Sequence, residues 1–125
     1  GLVVWPACML MCRYFTSVAG KEVLCASSAV LELGCGVGLL GCLLAFGGGC
    51  KVVMTDNDEV SLRVACANAA ANAEEKASVD IWLGRLHFGT KHARAFAQEA
   101  RQGESGYPLI VAADVVYSPE AVEPF

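Results

Sequence analysis

Short apolar runs alternate along this chain with longer segments in which apolar and polar positions mix. The runs have the length and the glycine, proline or polar boundaries of buried strands, whereas the mixed segments have the periodicity of helices. Strands are predicted over residues 30–33, 51–55, 78–86 and 109–114, and helices over 6–18, 39–46, 59–73 and 91–101. This alternation is typical of an α/β fold with a doubly wound, Rossmann-like sheet of four parallel strands.

The longest uncharged segment runs from Leu33 to Cys50 and approaches the length of a membrane span. Most of its glycines are grouped near its two ends, where they bracket one short apolar helix that we expect to be buried. The chain starts Gly-Leu-Val-Val-Trp-Pro, without the basic region of a signal peptide. We therefore expect neither a membrane span nor a membrane partner.

Glycines occupy alternate positions between the first strand and this apolar helix, in the run Gly-Cys-Gly-Val-Gly over residues 34–38. Without a Cβ, the backbone can bend sharply and approach a ligand closely. The helix that follows directs its free N–H groups and positive dipole end at the same place. The pattern predicts a cradle for a nucleotide-like cofactor, although it also fits the weak dinucleotide fingerprint G-x-G-x-x-G, and a plain turn without a ligand stays open.

Carboxylates near this turn bear on the choice of cofactor. Glu32 lies just before the first glycine, where it suits a cofactor with a positive charge better than a pyrophosphate. Asp56 ends the second strand about twenty residues beyond the turn, the place from which a carboxylate accepts both ribose hydroxyls. Asp58 is either a further ligand or the first residue of the next helix.

The end of the fourth strand carries a second candidate site. Ligands of open α/β sheets bind outside the carboxyl ends of the strands, and Ala113 and Asp114 lie there, with Tyr117 three residues beyond Asp114. The sequence Ser-Pro-Glu at 118–120 then predicts the N-cap and first turn of another helix.

Composition excludes some other classes of function. A net charge of −4, with no cluster among the nine cationic residues, argues against nucleic acid as a partner. The seven cysteines are odd in number and form no C-x-x-C pair, so we expect reduced thiols in the cytoplasm or the nucleus. Cys35 is expected to fill a small position in the glycine turn. His87 and His92 lack ligand partners at suitable spacing, so no metal site is expected.

The run Val-Leu-Glu-Leu-Gly-Cys-Gly-Val-Gly resembles the first motif of the class I methyltransferases that use S-adenosylmethionine (SAM). Ala-Ala-Asp-Val-Val-Tyr at 112–117 resembles the Asp-x-x-Tyr motif of the seven-β-strand protein-lysine methyltransferases that act on non-histone proteins. Gly1 to Trp5 resembles the Gly-x-x-x-Trp lead-in of that group, and Asn68 and Asn72 resemble its Asn-x-x-x-Asn pair. Leu-His-Phe-Gly at 86–89 takes the place of its Leu-x-Trp-Gly element.

The resemblance implies a SAM-dependent enzyme that methylates a lysine side chain of a non-histone protein. It assigns Glu32 to the ammonium group of the methionine end, and Phe88 to the adenine in place of the family's tryptophan. Trp82 is the alternative adenine contact, although its position inside a strand favours packing in the core. Cofactor binding is expected from Trp5, Glu32, Gly34, Gly36, Gly38, Asp56, Phe88 and Ala113. The catalytic residues on the substrate side are expected to be Asp114 and Tyr117.

The family has seven strands, and only four are predicted here. We therefore expect residues 1–125 to form one truncated domain that lacks the C-terminal strands and leaves the fourth strand as an unpaired apolar edge. The full-length protein is expected to be a monomer. Three alternatives stay open: a methyltransferase for a small amine or another side chain, an NAD-dependent oxidoreductase, and a non-catalytic interaction module. The substrate protein is not indicated by the sequence.

Overall fold

The computed structural model describes residues 2–73, 79–89, 91–99, 106–119 and 122. Helices and strands alternate along these residues after two initial helices. The helices are α1 (Pro6–Thr16), α2 (Val18–Cys25), α3 (Leu39–Gly48), α4 (Glu59–Ala73) and α5 (Lys91–Glu99). The strands are β1 (Ala29–Leu33), β2 (Lys51–Asp56), β3 (Ile81–Arg85) and β4 (Leu109–Ala112).

The four strands form one parallel sheet in the order β3-β2-β1-β4, which confirms the predicted α/β architecture. The register sets Leu33, near the glycine turn, beside Thr55 of β2 and Ala112 of β4. The carboxyl ends of three strands therefore meet at one edge of the sheet, and the loops that follow them lie next to one another.

The core lies between this sheet and the apolar helix α3. Val30, Val52 and Met54 of the sheet and Leu40 and Leu44 of the helix are fully buried. Helix α3 is two residues longer than expected and ends at Gly48; its C-cap residue, Gly49, adopts a left-handed conformation with φ 65°. Because α3 packs on the strands beside the glycine turn, the burial of its apolar side chains also holds the turn in place.

The opening segment forms two helices, so the prediction of one helix over 6–18 is wrong. The chain leaves α1 at Ser17, which is extended, and the Ser17 Oγ accepts a hydrogen bond from the N–H of Gly20 at 3.2 Å. A Cβ on Gly20 would collide with the backbone oxygen of Tyr14. A serine cap and a glycine contact therefore fold the second helix back onto the first.

The outer strands differ from expectation in their burial. Strand β4 ends at Ala112, two residues before the predicted end. The prediction that this strand is buried is wrong for one of its faces, because Ile110 is 57% exposed whereas Val111 is only 4% exposed. Among the described strands β4 pairs only with β1, so it lies at the sheet edge as expected. Trp82 of β3 does not pack in the core: it is 64% exposed, with the Nζ atom of Lys51 5.4 Å from its ring centre.

The remaining helical predictions have mixed outcomes. Helix α5 lies at the surface as expected, with Phe96 packed beside Gly84 of β3. Arg101, the last residue of the helix predicted over 91–101, and Glu120, in the predicted first turn of another helix, fall outside the described residues. The N–H of Val122 donates to the carbonyl oxygen of Pro119 at 3.3 Å. No helix in the described ranges is long and apolar enough to cross a membrane.

Candidate functional site

The turn between β1 and α3 requires glycine at three alternate positions. Gly34, Gly36 and Gly38 have φ values of 68°, 53° and 81°, in the left-handed region that other residues rarely adopt. A Cβ on Gly34 would lie 2.5 Å from the Cγ1 of Val115, and one on Gly38 would lie 2.9 Å from the Cβ of Ala65. Backbone conformation and close packing together explain why the sequence has glycine at these positions.

Helix α3 begins at the end of this turn without a side-chain cap, because its N-cap residue is Gly38. Backbone N–H groups in the first turn of a helix have no acceptor within the helix. They and the positive end of the dipole make this helix end suitable for an electron-rich group of a ligand.

Asp56 and Asp58 have different roles at the end of β2. The Asp56 Oδ2 accepts a hydrogen bond from the N–H of Gly36, and its Oδ1 accepts one from the N–H of Asp58, both at 2.9 Å. Asp58 caps α4 by accepting from the N–H groups of Val60 and Ser61, and from the Ser61 hydroxyl at 2.6 Å. The Ser61 hydrogen bonds hold the pKa of Asp58 below its usual value. The helix-start interpretation of Asp58 is thus confirmed, whereas Asp56 is tied to the glycine turn.

Glu32 is a buried carboxyl group with an unsatisfied oxygen. It is only 3% exposed, and its Oε2 makes no hydrogen bond within the part of the chain that the structure describes. A Cβ on Gly41 would lie 2.5 Å from this oxygen, so α3 approaches the carboxyl closely. Burial raises the pKa of Glu32 to about 8; the backbone N–H of Gly41 opposes this effect and the charge of Asp56 adds to it. Such a group calls for a partner that the described residues do not supply.

An open cleft lies over the glycine turn and brings together half of the predicted site residues. The predicted residues that line it are Trp5, Glu32, Gly34, Gly36 and Ala113. The other lining residues are Val3, Val4, Cys8, Cys35, Val37 and Leu39. One wall of the cleft comes from the start of the chain, where the resemblance places Trp5. Its other residues, Val3, Val4 and Cys8, were not predicted.

The other five predicted residues do not line the cleft. Asp56 and Gly38 belong to the floor, through the Gly36 hydrogen bond and the start of α3. Phe88 is half-buried after β3, and its contact with adenine stays a prediction. Asp114 follows the cleft residue Ala113 directly, and Tyr117 is 77% exposed.

Asp114 makes a contact that sequence reasoning missed. Its φ of 55° is the single positive value among the described residues other than glycine. Its Oδ2 accepts a hydrogen bond from the backbone N–H of Ala7, in the first turn of α1, at 2.8 Å. The local sequence carries no signal for this contact, because its partners are 107 positions apart.

Asn68 of α4 also supports the site, a role that the pair of Asn68 and Asn72 in the sequence could have suggested. Its Nδ2 donates to the carbonyl oxygen of Val37 in the glycine turn at 2.9 Å, and the Nδ2 of Asn72 donates to the carbonyl oxygen of Asn68 at 2.7 Å. The pair links helix α4 to the floor of the cleft.

The thiols near the cleft are not poised for reaction. All seven cysteines are free, and Cys35 is buried in a small space as predicted. Burial raises the pKa of Cys8 to about 11 and raises that of Cys35 further. Among the described side chains, no cluster of histidine, cysteine or carboxylate groups fits a metal ion.

Similar proteins are found by both sequence and structure. The chain is 30% identical over 118 residues to protein N-lysine methyltransferase METTL21A of Xenopus tropicalis, which covers 94% of this chain and 48% of that protein. It is also 30% identical over 118 residues to protein-lysine methyltransferase METTL21E of Mus musculus, covering 94% and 46%, respectively. The chain thus spans about half the length of these relatives.

Two solved structures share the fold at low identity. A SAM-dependent methyltransferase from Agrobacterium tumefaciens has a TM-score of 0.60 and 19% identity, over 87% of this chain and 32% of that one. An O-methyltransferase from Bacillus cereus, solved in complex with SAH, has a TM-score of 0.60 and 18% identity, over 98% of this chain and 51% of that one. The model of one family, described as lysine methyltransferase, matches residues 1–125, and the chain therefore belongs to the lysine methyltransferase family.

Proposed function

We propose that the cleft over the glycine turn binds SAM and that the protein transfers its methyl group to a lysine side chain of a protein. The observation that carries this proposal is the Glu32 carboxyl, which lines the cleft, is almost fully buried and has an unpartnered oxygen. The ammonium group of the methionine end of SAM has the charge and the hydrogen-bond donors that this oxygen lacks. The relatives METTL21A and METTL21E are protein-lysine methyltransferases, which supports the substrate class.

The other cofactor contacts follow from the same placement. Asp56 is proposed to accept the ribose hydroxyls, because its carboxylate lies beside Gly36 at the end of β2. The glycine turn and Ala113 leave room for close approach of the ligand, and Trp5 offers an apolar surface beside it. Phe88 is proposed to pack on the adenine, with Trp82 as the alternative.

On the substrate side, catalysis depends on how a lysine amine is held. When bound, SAM supplies an electrophilic methyl group for an in-line displacement. A lysine amine is charged near pH 7, so it has to lose a proton before its lone pair can react. Asp114 and Tyr117 follow the cleft residue Ala113, and we propose that they accept hydrogen bonds from the amine and orient it.

We also propose three further properties. The seven free thiols suit a reducing compartment, the cytoplasm or the nucleus. The acidic net charge disfavours nucleic acid as a partner. The full-length protein is proposed to be a monomer. Fractionation of cells, a nucleic-acid binding assay and sedimentation of the full-length protein test these properties in turn.

The cofactor assignment is tested by calorimetric binding of S-adenosylhomocysteine (SAH), the product that SAM leaves after methyl transfer, with NAD as the comparator. We expect SAH to bind and NAD not to bind, because NAD would place a pyrophosphate near the Glu32 carboxyl. Asp56→Asn should weaken SAH binding about tenfold, by the loss of charge-assisted hydrogen bonds to the ribose. Asp80→Asn is the matched control, since this exposed aspartate precedes β3. Binding of NAD alone, or equal affinities for the two variants, would contradict the assignment.

A further inference from the structure

We propose that Asp114 is a positioning residue that latches helix α1 onto the cofactor cleft, so that cofactor affinity depends on its hydrogen bond to Ala7. We call the hydrogen bond between the Asp114 Oδ2 and the Ala7 N–H the latch. The inference rests on the proposed function, because it takes the ligand of the cleft to be SAM.

The latch supplies a cap that α1 lacks locally. The N-cap residue of α1 is Trp5, whose side chain makes no capping hydrogen bond, and Pro6 contributes no N–H. The next backbone donor is the N–H of Ala7, which has no acceptor within the helix. Asp114 places a carboxylate at this positive end of the helix, which favours the contact electrostatically as well as by hydrogen bonding.

Asp114 adopts a left-handed conformation at the point where three consecutive residues contact three parts of the site. Ala113 lines the cleft, Asp114 binds α1, and the side chain of Val115 occupies the space above Gly34. This conformation costs most residues other than glycine about 1–2 kcal/mol, and aspartate adopts it more readily than most because its short side chain can form hydrogen bonds nearby. Strained conformations of this kind persist where the surroundings enforce them, often at ligand sites.

The wall that the latch holds is part of the cleft itself. Val3, Val4, Trp5 and Cys8 line the cleft and flank Ala7 in the chain. Farther along α1, Cys12 and Phe15 belong to the core, so the helix stays attached without the latch. Loss of the latch should therefore loosen the first turn of α1 and its cleft wall, and leave the rest of the helix in place.

The positioning role is separable from the role of Asp114 toward the amine. Asparagine keeps an oxygen that accepts from Ala7 and tolerates the left-handed conformation, but it removes the charge. Glycine adopts φ 55° without strain and removes the acceptor entirely. Asp114→Asn and Asp114→Gly therefore keep and remove the latch, respectively, while both remove the carboxylate.

The experiment measures SAH affinity and the accessibility of Trp5 in the two variants. The chain has two tryptophans, so acrylamide quenching is measured in a Trp82→Phe background, which leaves Trp5 as the single reporter. SAH affinity is measured separately, with Trp82 in place. In Asp114→Gly we expect SAH binding to weaken about tenfold, the effect of one lost hydrogen bond to a charged group, and Trp5 quenching to rise. Asp114→Asn should restore both values to within about threefold of the parent.

The outcomes separate this proposal from the proposed function. If Asp114→Gly binds SAH like the parent, or if Asp114→Asn loses as much affinity as Asp114→Gly, the latch does not set cofactor affinity. If the parent binds no SAH but Trp5 still becomes more accessible in Asp114→Gly, the latch contact is real and the cofactor assignment fails. If a variant does not fold, amide hydrogen exchange of Ala7 in the unmodified chain tests the latch instead. Protection of this amide supports the latch, and exchange at the unprotected rate overturns it.

Discussion

Among single residues, Glu32 has the most unusual environment, because a carboxyl group is buried beside a carboxylate rather than a cation. Burial raises its pKa to about 8, from an ordinary value of 4.5. At neutral pH the folded chain therefore favours the protonated form, which needs less solvation than the anion. The group lowers the stability of the fold at neutral pH, and a cationic ligand would offset that cost.

This environment predicts a pH-dependent stability. Because the folded pKa of Glu32 lies above its ordinary value, the stabilising effect of the neutral form is fully present below pH 4.5 and is lost as pH rises toward 8. The free energy of unfolding should fall by up to about 1.4 kcal/mol per pH unit in this range. In Glu32→Gln this contribution to the slope should vanish, as measured by urea unfolding at several pH values. Equal slopes in the two proteins would show that Glu32 does not titrate in this range.

Cofactor binding should in turn release a proton. If the ammonium group of SAH pairs with Glu32, it stabilises the carboxylate and lowers the pKa of this residue on binding. Calorimetry near pH 6.5 in buffers of different ionisation enthalpy should give a release of up to about one proton per SAH bound. In Glu32→Gln, binding should be weaker and this release should be absent. A release that persists in the variant would have to come from another group.

At the scale of elements, the two opening helices depend on Ser17. Its hydroxyl oxygen accepts from the N–H of Gly20 and caps α2, and its O–H donates to the carbonyl oxygen of Tyr14 at the end of α1 at 2.6 Å. One side chain thus joins the end of one helix to the start of the next. Since α1 carries Trp5 and Cys8, this corner helps to place the cleft wall.

Ser17→Ala should destabilise the protein by about 1 kcal/mol, the usual cost of losing a serine N-cap. Thr16→Ala is the matched control, because the Thr16 hydroxyl donates only within α1, to the carbonyl oxygen of Arg13. The control should change stability by less than about 0.5 kcal/mol. Thermal or chemical unfolding measures both values, and equal losses would mean that the cap does not stabilise the corner.

At the scale of the whole molecule, the edge strand β4 presents apolar surface. Ile110 points away from the core, whereas the next residue, Val111, is buried. Nearby apolar side chains, including Val116 and Tyr117, are also exposed. Exposed apolar edges of sheets template pairing between chains, so this face is expected to promote self-association.

Ile110→Lys should reduce self-association at high concentration while changing the free energy of unfolding by less than about 0.5 kcal/mol. Val111→Lys differs by one position along the strand but places an unpaired charge in the core, and should cost roughly 3 kcal/mol or more. Light scattering and urea unfolding measure the two effects. Association of Ile110→Lys equal to that of the original chain would exclude β4 as the contact surface.

The sequence alone predicted the features that depend on local physics. The order of strands and helices followed from hydrophobic period, and the turn at 34–38 from glycines that the backbone conformation requires. Glu32 and Asp56 could be placed because the carboxyl ends of adjacent parallel strands meet at one edge. These inferences need only neighbouring residues and a general rule about parallel sheets.

Packing between distant segments decided what the pattern left open. The latch joins Ala7 to Asp114 across 107 positions, so no local signal predicts it. Trp82 is exposed because β3 lies at an edge of the described sheet, although its apolar surroundings in the sequence favoured the core. Likewise, the sequence placed Glu32 at the turn, but only the packing of α3 and α1 around it leaves one oxygen of its carboxyl buried without a partner among the described residues. Burial and long-range hydrogen bonds depend on where distant elements meet, which only the folded chain determines.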